Sequence, residues 1–396
     1  MLRKGLHLCK KRKRRRRDIV VPLDLVIEIL NRLPAKSVAR FLLVSKSWGK
    51  VISSKSFIRS FPLQSLTQPL SLLIAFQYLG PHQGHLNCCF FSSSSMSSSS
   101  ISTSLLSRIG RPSLSHCLSW YPIYYVNGLI NTGRVISNPC TGKSVTLPRL
   151  VKTTKELRLT RRFFGYDPVN DQYKVLCMSH KNLEGQATAR WYNDFRVFTL
   201  GAKPWRLIDC GIPHTPESNG LCIDGLVCYI AYTVTGMRLM RFSLKSEMFD
   251  IFASVSEHLS PLVNKDNGSR ILINYHGKVA TVVQPVSTVP LIHLFVFEAG
   301  LHDFKEMTIH NLPQVNLRVQ GIINHAGDII FGLNCSRTEA NVFRYDPKGG
   351  SFKKMKIEVE ISKMMLISEF SVPSYFVGYV ESLQASLTEK NSKYFE

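Results

Sequence analysis

The sequence predicts a small all-α module of three helices followed by a large all-β domain. Two patterns carry this. Between residues 18 and 61, apolar side chains recur three and four apart, the period of a helix face. From about Ser119 to the C-terminus, strand-like runs alternate with turn residues at short spacing.

The helical module takes its boundaries from local chemistry. Leu25, Ile29 and Leu33 are four apart, with Val26 and Leu30 beside them; Val38, Phe41 and Leu42 form a second stripe, and Trp48, Val51 and Ile52 a third. Pro22 precedes the first helix and Asp24 suits its positive N-terminal end. Pro34 separates the first two helices, and Ser45 is placed to cap the third. Three such short helices bury little surface by themselves, so the module is expected to need a partner.

Two units recur in the β region. One is a polar residue, a glycine and an apolar strand: Asn127-Gly128-Leu129, Asp224-Gly225-Leu226, His276-Gly277-Lys278-Val279 and His325-Ala326-Gly327-Asp328-Ile329, the last three about 50 residues apart. The other is a strand, a tight turn and a second strand, at Phe164–Leu176, Phe195–Ile208, Arg238–Phe252, Leu294–Met307 and Val342–Met355. A period near 50 with several short strands per repeat fits a kelch-like β-propeller, in which each blade buries its faces against its neighbours; a large β-sandwich is the physical alternative. Leu70–Leu79 and Tyr375–Leu383 are the candidates for the segment that closes a ring. The division expected is a basic arm at 1–17, the helical module at 18–61, a linker at 62–115, the β domain at 116–385 and a tail at 386–396. Within the linker, the serine tract Phe91–Ser104 is expected to be a loop, because it lacks side chains to pack a core, and Leu70–Leu79 to be one strand.

Of 396 residues 44% are hydrophobic, enough for a sizeable core. The net charge of +23 is uneven. Ten cations and no acid lie in the first 17 residues, at Arg3 and Lys4 and in the run Lys10, Lys11, Arg12, Lys13, Arg14, Arg15, Arg16, Arg17. Such a run repels itself and stays solvated; it suits nuclear targeting or non-specific attraction to nucleic acid. No secretory h-region and no stretch long enough to span a bilayer is evident, so a soluble protein of the nucleus and/or cytoplasm is expected, with its ten cysteines as reduced thiols, mostly small core residues.

The segment Val21–Phe57 resembles the F-box. The carrying residues are Val21-Pro22, Leu25, Glu28-Ile29-Leu30, Leu33-Pro34, Lys36-Ser37, Arg40-Phe41, Val44-Ser45-Lys46 and Trp48; Val21 and Val38 stand where the family usually has leucine. Residues 115–385 resemble, more loosely, the plant F-box-associated domains of propeller type. The likeness rests on Asn127-Gly128-Leu129, Asn138-Pro139, Thr141-Gly142-Lys143, Val145-Thr146-Leu147-Pro148, Phe164-Gly165-Tyr166-Asp167-Pro168, Tyr173-Lys174-Val175-Leu176 and Tyr379-Val380-Glu381-Ser382-Leu383. The resemblance implies a non-catalytic substrate-recognition subunit of an SCF-type ubiquitin ligase. Its F-box would dock on a Skp-type adaptor, and through it a cullin, while its β domain holds a protein substrate. Pro22, Leu25, Ile29, Leu30, Leu33, Val44 and Trp48 are the expected adaptor anchors, although helical stripes also serve as core.

Other chemistry finds less support. Thr141-Gly142-Lys143-Ser144 resembles the end of a phosphate loop, but Ser137 stands where the first glycine is needed and no helix pattern follows, so a hairpin is expected. His82, His85, Cys88 and Cys89, with His116 and Cys117, approach zinc spacing but straddle the serine tract. No serine-hydrolase elbow, zinc-protease helix or dinucleotide fingerprint occurs, and neither cofactor nor membrane contact is expected. The alternative is a free-standing nuclear protein- or nucleic-acid-binding protein that uses the basic arm. A homeodomain-like reading of arm plus three helices is thin, because the third helix offers only Lys46 and Lys50 for base contacts. An enzyme built on the propeller is a third reading.

Overall fold

The computed structural model describes residues 21–65, 72–79, 86–96, 99–110, 122–150, 157–181, 191–192, 194–202, 204–255, 270–283, 291–298, 304–313, 317–323, 327–333, 341–358 and 373–383. Four helices come first: α1 (Leu23–Asn31), α2 (Ala35–Phe41), α3 (Lys46–Ile52) and α4 (Lys55–Ser65). The first three lie where the apolar period places them. Ser45 caps α3, its Oγ accepting from the Trp48 backbone N–H at 3.2 Å. The fourth helix was not expected; Ser54 Oγ accepts from the Phe57 N–H at 3.3 Å at its start, and Phe57 and Phe61, one turn apart, are both buried.

The rest is all β. Among the described residues the strands form six antiparallel units arranged as propeller blades, five of four strands and one, the fourth, of five. The first joins Ser374–Val377, Leu72–Leu79, Leu86–Met96 and Ser100–Gly110. The second runs Tyr124–Val126, Leu129–Asn131, Val135–Ser137, Ser144–Thr146, and the third Leu157–Asp167, Gln172–Lys181, Asp194–Thr199, Arg206–Ile208. In the fourth, two short inner pieces, His214–Pro216 and Leu221–Ile223, share the partner Leu226–Thr233, followed by Gly236–Ser243 and Phe249–Ser254. The fifth is Arg270–Tyr275, Lys278–Val283, Ile292–Phe297, Phe304–Ile309, and the sixth Leu317–Ile323, Asp328–Leu333, Asn341–Asp346, Ser351–Glu358. Inner strands of neighbouring blades pack side by side around the ring, and Tyr125 against Phe376, ring centroids 5.9 Å apart, completes the circuit. The first and sixth blades also join at their outer edge through a parallel pairing of Lys356–Glu358 with Ser100–Ser102.

The repeating glycine signature marks one position in the blade, the turn from inner to second strand. Both central residues of that turn have positive φ, 45° and 84° at Asn127-Gly128, 46° and 78° at Asp224-Gly225, 50° and 82° at His276-Gly277. This is the hairpin geometry whose twist matches the strands, and it explains the polar-Gly pairs. At Gly128 there is a second reason: an added Cβ would lie 2.2 Å from the Ser382 Cβ.

The expected linker is corrected. Leu72–Leu79, Leu86–Met96 and Ser100–Gly110 are three strands of the first blade and include most of the serine tract. Its side chains are small, but Phe90 and Phe91 point to opposite faces and are buried in separate core clusters, and sheet hydrogen bonding does not depend on side-chain size. Cys88 and Cys89 likewise face opposite sides of that strand, while His82, His85, His116 and Cys117 lie outside the described residues. Thr141-Gly142-Lys143 sits in a hairpin between Val135–Ser137 and Ser144–Thr146, with the Asn138 side chain accepting from the Cys140 and Thr141 N–H groups. The two ring-closure candidates pair with each other, Leu72–Ala75 against Ser374–Val377. Among the described residues no helix is long and apolar enough to cross a membrane.

Blades are tied by buried charge as well as by apolar contact. Lys174 of the third blade, only 6% exposed at its side chain, donates to the Leu244 carbonyl at 2.6 Å and to Glu247 of the fourth at 2.8 Å; Arg206 also grips Glu247 at 2.6 Å. Burial raises the Glu247 pKa, but the hydrogen bonds from Arg206 and Lys174 outweigh it and hold the carboxylate below its ordinary range. Replacing Lys174 by methionine should therefore cost roughly 2–3 kcal/mol in a urea titration, since one cation is left to balance the buried carboxylate. A depressed pKa stabilises the fold above the unfolded value and loses that stabilisation as pH falls through the folded one. Wild-type stability should decline below the ordinary glutamate range, and Glu247→Gln should show a shallower decline in thermal melts across the same interval.

Candidate adaptor-binding face and its seat on the propeller

The helical module is built into the propeller. Val26, Leu30, Ala35, Val38, Ile52, Phe57 and Phe61 share one buried cluster with Leu73, Phe90, Leu106, Ile130, Tyr379 and Leu383 of the β domain. The segment after the closing strand reaches the helices through Glu381 and is itself held to the second blade by polar contacts. The Glu381 carboxylate accepts from the Ala35 N–H at 2.5 Å, at the start of α2. Burial pushes the Glu381 pKa up, against the opposing effect of that hydrogen bond. Asn138 Nδ2 donates to the Ser382 carbonyl at 2.8 Å, the Val380 N–H donates to Tyr125 Oη at 2.8 Å, and Cys140 Sγ meets Tyr379 Oη at 2.6 Å. On the far side of the seat, Arg59 of α4 pairs with Asp171 at 2.7 Å, and Tyr166 Oη donates to the same carboxylate at 2.7 Å.

Once that face is buried, α1 still has an apolar face left over. Val26 and Leu30, one turn apart, point inward at 3% and 0% exposure; Leu25 and Ile29, also one turn apart, stand out at 54% and 46%. Just past α2, Leu43 and Val44 are exposed at 93% and 63%, and Val21 and Leu23 at 40% and 57%. Six of the eleven large apolar side chains exposed among the described residues thus fall within residues 21–44. Lone exposed apolar residues are ordinary; a concentration of them marks an interaction site.

The anchors expected from sequence separate into two sets. Leu25, Ile29 and Val44 are exposed, as is Pro22. Leu30 is fully buried, while Leu33 and Trp48 are half-buried against the shared core, the Trp48 ring tilted against Phe41 at 5.2 Å between ring centroids. Leu43 and Leu23 were not singled out. The signal for Leu43 was present: Phe41-Leu42-Leu43-Val44 is a run of four apolar residues, more than one helix face can bury. The basic run Lys10–Arg17 lies outside the described residues.

Comparison with known proteins agrees with this architecture. Residues 21–60 match the F-box domain, and residues 71–380 match the F-box associated beta propeller domain. F-box protein At4g11590 of Arabidopsis thaliana is 37% identical over 363 residues, covering 86% of this chain and 86% of its own length. F-box protein At1g47810 of the same plant is 33% identical over 292 residues, covering 66% of this chain and 79% of its own. Among solved structures, TolB from Acinetobacter baumannii aligns at a TM-score of 0.42 and 9% identity over 76% of this chain and 66% of that one, too loosely to inform function. Helices, seat, blades and relatives together place the chain among the plant F-box proteins that carry an F-box associated β-propeller domain.

Proposed function

We propose that this protein is a substrate receptor of an SCF-type ubiquitin ligase, with the outer face of its helices docking on a Skp-type adaptor and the propeller holding a protein substrate. F-box domains in general bind such adaptors, and the observation that carries the reading to particular residues is the set of exposed apolar side chains Leu25 and Ile29 on α1 and Leu43 and Val44 in the turn after α2, while Val26 and Leu30 on the other side of α1 are already buried. The role needs no catalytic group of its own: it raises the local concentration of substrate lysines near the transferring enzyme. The basic arm, Lys10–Arg17, is proposed as a nuclear address.

Two of the helical stripes make opposite predictions. Leu25→Asp with Val44→Asp, both at exposed positions, should weaken capture by a purified Skp-type adaptor by about 100-fold or more while the thermal midpoint stays within a few degrees, because large apolar anchors dominate such interfaces. Leu30→Ala should instead lower stability by about 2–5 kcal/mol, as a core cavity does, and weaken capture only in proportion to the unfolded fraction. Full adaptor binding by the folded Asp double variant would sink the docking face. The arm is checked separately, by imaging a fluorescent fusion in which Lys10–Arg17 are all replaced by glutamine. A nuclear fraction unchanged by that substitution removes the targeting role.

A further inference from the structure

A cavity of about 330 Å³ lies in the seam between α2 and α3 on one side and the first and second blades on the other. That is at the lower end of the range for small-molecule sites, roughly 300–1,000 Å³. Its walls are mainly apolar, from Leu42 and Ile52 on the helical side and Leu106 and Leu383 on the propeller side. Three cationic residues also line it, Lys36 and Arg40 from α2 and Lys143 from the Thr141–Lys143 turn, and no aspartate or glutamate does. Lys36 Nζ donates to the carbonyls of Leu105 and Leu106 at 3.4 and 3.3 Å, which holds it at the cavity. None of the three cations has a carboxylate partner among the described residues, although Glu247, Asp171 and Asp194 elsewhere are each paired with lysine or arginine.

We propose that this seam cavity binds a small amphipathic organic anion: one carboxylate, sulfonate or phosphate head on a compact apolar body. Cations of one sign beside low-dielectric walls focus the field and attract an anion, and an anion lowers their mutual repulsion. The apolar walls reward burial of the body at about 25 cal/mol per Å². A purely apolar ligand would leave the cations unused, and an inorganic ion would leave the walls wet. Because the two walls come from the helices and the propeller, a ligand that fits the closed seam also favours the seated arrangement of the F-box. Leu43, one of the proposed adaptor anchors, also lines the cavity, but the test uses the full chain alone, so a failure of adaptor binding and a failure of this proposal are distinguishable.

The probe is 1-anilinonaphthalene-8-sulfonate, with N-phenyl-1-naphthylamine as the same aromatic body without the charge, each titrated by fluorescence into the full-length protein. The sulfonate should bind at one site, about tenfold or more tighter than the neutral amine. Arg40→Glu with Lys143→Glu should remove that preference and leave the neutral amine unchanged, showing that the cavity itself has survived. Ala39→Trp, which adds bulk at a half-buried wall position, should weaken both probes. Equal affinity for the two probes, a preference untouched by the double charge reversal, or sulfonate binding untouched by Ala39→Trp would each overturn the proposal; circular dichroism of every variant shows that the β domain is folded.

Discussion

The pairing of Ser374–Val377 with Leu72–Ala75 is the interaction on which the rest of the structure depends. It brings together segments about 300 residues apart in sequence. The chain entropy of closing so long a loop is smaller than intuition suggests, because the cost grows only logarithmically, about 0.6 kcal/mol per doubling of length. What the pairing removes is larger. Without it the first blade lacks its inner strand, the sheet edge at Leu72–Leu79 is open, and Tyr125 loses its ring contact with Phe376. The same strand then delivers Tyr379, Glu381 and Leu383 to the helices. Ring closure therefore supplies part of the F-box seat, the rest coming from residues such as Leu73, Phe90, Leu106 and Ile130.

That coupling resolves a difficulty with the helices. Four short helices bury little by themselves, and helix α1 is apolar on two faces offset by one residue. In a free module both faces would compete for the core, and the register of the bundle would be poorly defined. The propeller breaks the tie. It takes the Val26/Leu30 face, and Glu381 fixes where α2 begins by accepting the Ala35 N–H. The Leu25/Ile29 face is left outward by default. An exposed apolar stripe is a cost to a soluble protein, and its persistence here on a rigidly held helix is what gives the docking proposal its physical content.

Local demands of the backbone were readable in the sequence, and choices made by distant packing partners were not. Turn glycines were readable because φ > 0 is a local demand: Asp224-Gly225 and His276-Gly277 announce a hairpin whatever surrounds them. The three helices were readable from period alone. The division of their apolar residues was not, since Leu25 and Leu30 belong to equally good helical stripes and only the packing partner chooses between them. The serine tract misled because composition speaks of side chains, whereas the pairings Phe91↔Leu105 and Ser92↔Ser104 are made by backbone groups and anchored by the neighbouring Phe90 and Phe91. Glu381 lies in the closing Tyr379–Leu383 motif, but its contact with the helices could not be read from sequence. Its partner is 346 residues away, and no local pattern distinguishes it from a solvated glutamate.

A seat this tight has a consequence for the proposed role. A receptor that works by proximity contributes most when its two binding faces are held in fixed relation, because a loose joint spreads the substrate over many unproductive positions. Here the joint is a shared apolar core bounded by Arg59–Asp171 on one side and Glu381–Ala35 on the other. Of these, Glu381 is the contact most open to pH. Its carboxyl is held above the ordinary glutamate range by burial, so the folded protein takes up that proton more readily than the unfolded chain. The contribution of Glu381 to stability is then fully present below the unfolded value and is lost as pH rises through the folded one, opposite in sign to that of Glu247. Glu381→Gln, which keeps an acceptor for the Ala35 N–H without the buried charge, should show no such decline when thermal midpoints are compared from pH 5 to pH 8. If the two proteins instead fall in parallel, the charge at the seam is not what pH acts on, and the rigidity of the joint must come from the apolar cluster alone.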